Sequence, residues 1–431
     1  MKRVYTCFCT DVIHNGHMNI LRHAAKYGEV TVGVLSDRAA LKYNRFPAVS
    51  FEERIELVKH LPEVSHVIVQ DEIMYDKVIA ELRPDYVVHG DNWVHPPMSV
   101  IRNNVIRLMQ QYGGELIEIP YTHDETVKKI DNAMIEKLAM PEFRRGRLKK
   151  QIKMGGIVKA IEAHSGLTGL IAEKTIVEYQ GELNQFDAMW VSSLCDSTAR
   201  GKPDIELVDN SDRLQTINEI MDVTTKPIIL DGDTGGLIEH FIYNVRTWER
   251  MGVSAVIIED KVGLKKNSLF GTEVEQAQDT VEGFCRKIQA GKEIQRSEDF
   301  MIIARIESLI LEKGMEDALT RAFAYVEAGA DGIMIHSRNE SPLEILTFCD
   351  RFRTDCPDIP LVVVPTSFNS ITEQELGAHG VNIVIYANQL TRSAFPAMQE
   401  TAKEILQHHR ALEVDKRLMP IKDIITLIDE L

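Results

Sequence analysis

The chain has 431 residues, 44% of them hydrophobic, 26% charged and 6% aromatic. This predicts two or three domains with sizeable cores and excludes a disordered, collagenous or small disulfide-bound protein. The 65 acidic residues exceed the 49 basic ones for a net charge of −16, which argues against nucleic acid or an anionic membrane as partner.

The six cysteines are scattered and form no CxxC pair. A cytoplasmic location is expected, because the chain opens on no charged-then-apolar leader and has no apolar run of about 18 residues.

In chain order, short apolar runs at 4–8, 29–35, 65–70, 85–89 and 115–119 alternate with stretches of helical periodicity. That rhythm predicts an α/β domain over 1–130 with a doubly wound, Rossmann-like parallel sheet, binding ligands at the carboxyl ends of its strands. Residues 131–150 read as a solvated helical linker carrying Arg144, Arg145, Arg147, Lys149 and Lys150. Over 151–431 eight apolar runs recur, at 157–163, 186–191, 227–230, 253–258, 301–306, 332–335, 361–364 and 381–386. Eight strands alternating with helices predict a (β/α)8 barrel. The polar residues ending these runs are His164, Ser192, Asp231, Glu259, Arg305, His336, Thr366 and Asn388. In a barrel they gather on one rim.

Asp231-Gly-Asp233 follows the third barrel run, and Glu259 ends the fourth. Such carboxylates suit a hard cation, Mg²⁺, although Asp and Gly also make turns that cap helices. The loop after Glu259 carries Lys261, Lys265 and Lys266 around a glycine, a composition suited to clamping a phosphoryl group. Arg305 offers a bidentate anion contact, and His336 either joins it or serves as a structural hydrogen-bond partner. In the first domain, His14 and His17 flank Gly16 where the first helix should begin. This suits a nucleotide triphosphate, and it equally suits a helix start that the histidines merely cap.

Residues 144–431 resemble the phosphoenolpyruvate mutase family, within the isocitrate lyase and phosphoenolpyruvate mutase superfamily. The resemblance is carried by Glu162-Ala-His-Ser-Gly-Leu, Trp190-Val-Ser-Ser-Leu-Cys, Asp231-Gly-Asp-Thr-Gly, Ile258-Glu-Asp-Lys, Lys265-Lys-Asn-Ser-Leu, Ala304-Arg-Ile-Glu and Ala330-Asp-Gly-Ile-Met-Ile-His-Ser. It implies interconversion of phosphoenolpyruvate and 3-phosphonopyruvate, with Mg²⁺ nearest Asp231 and its waters on Asp233 and Glu259. It assigns Ser192, Leu194 and Arg305 to the substrate carboxylate end and Lys265, Asn267, Ser268 and His336 to the phosphoryl end, with Ser193 and Lys261 as further substrate-binding residues. Trp190 walls the pocket. Asp209 falls where the family has its catalytic aspartate, which either accepts the phosphoryl group or orients it. The alternative is phosphonopyruvate hydrolase, in which water intercepts the same chemistry. A lyase would carry Lys-Lys-Cys-Gly where this chain has Lys265-Lys-Asn-Ser. Ser193 stands where the family commonly has Gly, Leu264 where it has Pro, and Gly236-Leu-Ile where it has Tyr-Gly-Asn. A homo-oligomer, dimer or tetramer, is also implied.

Residues 1–125 resemble the cytidylyltransferases through Thr10-Asp-Val-Ile-His-Asn-Gly-His, Phe51-Glu-Glu-Arg54 and His89-Gly-Asp-Asn-Trp93. The resemblance implies nucleotide contacts from Thr10, His14, Gly16, His17, Arg54, Asp91 and Trp93. CTP would then be a substrate, with a phosphonate such as 2-aminoethylphosphonate or 2-hydroxyethylphosphonate as acceptor. Phe8 replaces a family glycine, and 121–127 loses the family's late arginine and glycine. Two readings follow: CMP transfer, or a non-catalytic nucleotide-binding or scaffolding module.

Overall fold

Valine and isoleucine runs too short for helices build two parallel sheets. The computed structural model describes residues 1–9, 12–41, 47, 49–95, 98–120, 125–180 and 182–428. The first sheet holds β1 (Arg3–Phe8), β2 (Glu29–Leu35), β3 (His66–Gln70), β4 (Tyr86–Gly90) and β5 (Glu115–Ile119), in the order β3-β2-β1-β4-β5. Alternate residues of β1 serve opposite faces: Tyr5 packs with Ile79, Ile101 and Val105, and Val4 with Leu21, Val30 and Val58. The strand order reverses beside β1, so the helix Asn15–Ala24 begins at the switch point.

The second unit starts with β6 (Val158–Glu162) and an excursion through the hairpin β7 (Ile176–Tyr179) and β8 (Glu182–Gln185). It continues through β9 (Ala188–Val191), β10 (Ile228–Asp231) and β11 (Ala255–Glu259). A small antiparallel ribbon, β12 (Lys261–Val262) with β13 (Ala277–Gln278), brackets the next loop. Then come β14 (Met301–Ile306), β15 (Gly332–Ile335), β16 (Leu361–Val363) and β17 (Ile383–Tyr386). The eight barrel strands close in the order β10-β11-β14-β15-β16-β17-β6-β9. Pleating divides each strand between two cores. Ile229, Ile257, Ile303 and Ile383 fill the interior, whereas Leu230, Ile258, Ile302 and Val384 pack against the outer helices.

The expectation of a solvated linker is corrected. The helix Pro141–Lys153 carries Leu148 into the interior cluster of the barrel. Arg144, 1% exposed, donates from Nη1 to Thr224 Oγ1 at 3.1 Å and to the Lys226 carbonyl at 3.2 Å, and Nη2 reaches the Thr224 carbonyl. Arg147 Nη1 reaches the Thr225 carbonyl at 3.1 Å. These carbonyls lead into β10, and arginine supplies the multiple donors they need where water is excluded. The basic cluster is therefore partly a seal on the amino-terminal end of the barrel.

The β7–β8 hairpin was not foreseen. Its Leu183 is buried in the first domain's cluster with Tyr5 and Tyr75, and Gln185 Nε2 donates to the Leu41 carbonyl at 2.9 Å. Four alternating residues per strand give too weak a pattern to separate from loop. Among the described residues no helix is long and apolar enough to cross a membrane.

Candidate active site

The carboxyl ends of the barrel strands surround an open cavity of ≈ 550 Å³, solvent at its mouth included. Trp190, Ser192, Asp231, Glu259, Arg305, His336, Thr366 and Asn388 line it, so seven of the eight strand-end residues picked from the sequence converge. His164 is the exception: its Nδ1 lies 3.3 Å from Thr391 Oγ1, beside buried Glu162 and Cys195.

The carboxylates are positioned by backbone constraints. A Cβ on Gly232 would come within 2.6 Å of Val256 and 3.0 Å of the Ile257 carbonyl, so only glycine lets the chain between Asp231 and Asp233 lie against β11. Asp233 itself adopts φ of 53°. Asp231 Oδ2 accepts from the Ser193 backbone N at 3.2 Å and from Ser193 Oγ at 2.8 Å. Arg213 Nη1 donates to Asp233 Oδ2 at 3.0 Å. Burial pushes the Asp231 carboxyl up, yet Lys265, Arg213 and Arg305 outweigh it and hold it down at about 2. Burial raises Asp233 and lifts Glu259 to about 7, with Glu307 adding repulsion at Glu259. The Glu259 Oε1 atom is buried and accepts no hydrogen bond, although the Lys261 ammonium lies 3.2 Å away. Three crowded carboxylates with an oxygen in reserve fit an oxygen-seeking divalent cation such as Mg²⁺.

The loop between β12 and β13 covers these groups. Lys265 Nζ contacts Asp233 Oδ1 and Ser193 Oγ and lies 3.0 Å from Asp204 Oδ1. Burial lowers its pKa, but the surrounding carboxylates more than reverse this, so Lys265 stays protonated. Asn267 Nδ2 donates to Asp204 Oδ2 at 3.1 Å. Arg305 Nη2 lies 2.6 Å from Ser268 Oγ and 3.0 Å from His336 Nδ1. Arg305 Nε donates to Glu307 at 2.6 Å. Burial, reinforced by Arg305, depresses the His336 pKa, so His336 is a neutral hydrogen-bond partner. The cavity thus gathers Lys265, Arg305 and the Asn267 amide beside carboxylates, a lining suited to a small anionic ligand.

Residues 148–406 match the Phosphoenolpyruvate phosphomutase family model. The chain belongs to this phosphoenolpyruvate phosphomutase family. It is 36% identical over 286 residues to the phosphoenolpyruvate phosphomutase of Streptomyces hygroscopicus, which covers 66% of this chain and 87% of that protein. The crystal structure of the phosphomutase from Streptomyces platensis subsp. rosaceus superposes with a TM-score of 0.60 at 34% identity, covering 65% of this chain and 93% of that one. A phosphonopyruvate hydrolase in complex with oxalate and Mg²⁺ gives a TM-score of 0.58, also at 34% identity, covering 66% of this chain and 94% of the other. The chain is accordingly an enzyme of the phosphoenolpyruvate mutase and isocitrate lyase superfamily. Residues 5–130 match the Cytidylyltransferase-like family model.

Within this phosphomutase-family barrel, two expected site residues are corrected. Asp209 is exposed; its Oδ1 accepts from Asp212 N at 3.0 Å and caps the helix Asn210–Met221. The aspartate that reaches the cavity is Asp204, five residues earlier, with a side chain only 8% exposed. Its loop is pinned by Thr234, whose Oγ1 donates to Glu206 at 2.8 Å. The legible signal was the run from Asp209 into an amphipathic helix, the pattern of an N-cap. Lys261 does not line the cavity either. It is 3% exposed, and its Nζ holds the loop from beneath through the Lys266 carbonyl at 2.9 Å, Ser268 Oγ at 3.0 Å and Gln276 at 2.9 Å. Glu307, fully buried between Arg305 and Ser268, was missed because nothing in its spacing separates it from a rim carboxylate.

In the first domain His14, Gly16 and His17 do come together. His14 caps the helix Asn15–Ala24 by accepting from Gly16 N at 3.1 Å, and the two imidazole centroids are 3.9 Å apart. Phe8 sits edge-on to His17 at 4.7 Å. Asp91 is exposed at the end of β4. Arg54 and Trp93 are corrected as nucleotide contacts, because both are 1% exposed. Arg54 donates to the Leu35 carbonyl at 2.9 Å and to Asp37, and the Trp93 indole donates to Glu118 at 2.7 Å. Thr10 and residues 121–124 of the late signature lie outside the described residues.

Proposed function

We propose that the barrel interconverts phosphoenolpyruvate and 3-phosphonopyruvate, moving a phosphoryl group between the enol oxygen and C3 of one molecule. The observation that carries this is the convergence of Lys265, Asn267, Asp204, Arg305 and His336 with Asp231 and Glu259 on one cavity, with Asp233 held against Lys265. Ser192, Ser193, Leu194 and Arg305 would hold the carboxylate end, and Trp190 would form the wall. Lys265, Asn267, Ser268 and His336 would hold the phosphoryl group and exclude water. Asp204 is placed to receive or orient that group. Asp231, Asp233 and Glu259 would hold Mg²⁺, which supplies charge stabilisation to the enolate of pyruvate when bound. Among the described residues no cysteine lines the cavity, which disfavours the lyase reading.

The second reading is phosphonopyruvate hydrolase, favoured by the equal identity of the hydrolase and mutase structures. A phosphorus NMR time course of the full-length protein with phosphonopyruvate and Mg²⁺ separates them. A growing phosphoenolpyruvate signal establishes the mutase, inorganic phosphate establishes the hydrolase, and no change refutes both.

For the first domain we propose CTP binding at the His14–His17 helix start and CMP transfer to a downstream phosphonate, supported by the family match and the paired imidazoles. Calorimetry with CTP and Mg²⁺ followed by a pyrophosphate-release assay tests it. Binding without release leaves the scaffolding module instead. The homo-oligomer also stands as a proposal. On the helix Gln389–His408, Phe395, Met398 and Leu406 are at least 64% exposed, more apolar surface than a solvated helix needs. Light scattering that returns a monomer mass would refute it.

A further inference from the structure

The loop lysine occupies a carboxylate, Asp233, that the waters of the expected cation would use. Lys265 Nζ contacts Asp233 Oδ1, Ser193 Oγ and Asp204 Oδ1 within a region where all four residues are largely buried. Ser193 makes this possible. Its hydroxyl donates its proton to Asp231 Oδ2 at 2.8 Å, which turns a lone pair toward the ammonium. Glycine in its place would keep the backbone N–H to Asp231 and lose the bridge. The outer edge of the loop, Val262, Gly263 and Leu264, is exposed, while Lys261 holds Lys266 and Ser268 from beneath. The loop's remaining tie on this side, Asn267 to Asp204, depends on the same aspartate that Lys265 neutralises.

We propose that Ser193 is a positioning residue that latches the 261–278 loop over the carboxylates, and that a divalent cation opens this latch by displacing the Lys265 ammonium. The inference rests on the metal reading above. An ammonium at contact distance from Asp233 takes the place of a water on a cation held at Asp231, and like charges so close in a desolvated site repel strongly. The displaced ammonium becomes available to the phosphoryl end of an incoming substrate, so the cation primes the loop before substrate closes it. Coupling is reciprocal: the factor by which the cation weakens the latch is the factor by which the closed latch weakens cation binding.

The test uses the full-length protein, with Mn²⁺ as a paramagnetic probe, amide hydrogen exchange of residues 262–270 and an electron-spin-resonance Mn²⁺ titration. Mn²⁺ alone is expected to speed loop exchange in the wild type, the reverse of the usual rigidification by a ligand. Ser193→Gly is expected to exchange faster without Mn²⁺ and to bind it roughly fivefold tighter, following that linkage. This variant changes no charge, so it separates a latch from simple repulsion by Lys265. Lys265→Met, a second variant, is expected to have a loop already open and insensitive to Mn²⁺. Mn²⁺ that binds the wild type yet slows or leaves unchanged its loop exchange overturns the latch alone, as does Ser193→Gly with wild-type exchange and affinity. Equal absence of Mn²⁺ binding in the wild type and Asp231→Ala overturns the metal reading together with the latch.

Discussion

Asp204 and Lys265 form an ion pair at 3.0 Å that joins the loop after β9 to the loop after β11 across the mouth of the barrel. The pair separates two aspartates that the sequence does not rank. Asp204→Asn is expected to lower kcat on the order of a hundredfold or more, because it removes a charged group that lines the cavity where the phosphoryl end is proposed to sit. Asp209→Ala loses only a helix cap, costs about 1 kcal/mol of stability, and leaves kcat unchanged. Mutase assays and urea melts on both variants decide the point, and the reverse ranking would restore Asp209 as the site aspartate.

Asp231 accepts two hydrogen bonds from Ser193 and sits beside Asp233. Asp231→Ala is expected to abolish Mg²⁺ binding by calorimetry and to reduce turnover on the order of a thousandfold. Its circular dichroism should match the wild type, since the strands on either side are held by their ladders and by the apolar cores. Full activity in this variant would remove Asp231 from the metal set.

The seal beneath the barrel predicts a stability effect in a segment that looked solvated. Arg144→Ala leaves the carbonyls of Thr224 and Lys226 without their donors in a dry site, at a cost of about 3 kcal/mol. Lys150→Ala, on an exposed position of the same helix, should stay within about 0.5 kcal/mol of the wild type. Urea titrations of the two variants measure the difference.

His89 supplies a pH dependence. It is stacked on Trp93 with centroids 3.6 Å apart, and burial holds it down at about 4 from an ordinary 6.5. The unfolded chain therefore takes up a proton between pH 6.5 and 4 that the folded chain refuses. Its contribution is fully present above pH 6.5 and is lost as pH falls toward 4, by up to about 3 kcal/mol. A stability series across that range should show the loss, and His89→Phe, which keeps the stack, should flatten it. An unchanged slope in the variant would assign the effect to other groups.

The sequence by itself determined the architecture. Strand periods and turn residues are local, and each predicted barrel run overlaps an observed strand, with 301–306 and 332–335 matching in full. It also determined the rim, because parallel strands in a closed ring put their carboxyl ends on one side, and seven of eight strand-end polar residues meet there. What followed from ladder geometry was legible.

Tertiary structure decided everything that depends on which way a loop or an irregular side chain turns. Asp204 and Asp209 have the same chemistry and nearly the same position, and only the fold of their loop sends one into the cavity and makes the other a cap. Arg54 and Trp93 belong to stretches that resemble the cytidylyltransferases but spend their donors on Leu35, Asp37 and Glu118. Arg144 is read as surface from composition and is buried because distant carbonyls need its donors. A residue's role at such places is set by partners tens of positions away, and that information is in the packing of the whole chain rather than in any short stretch of it.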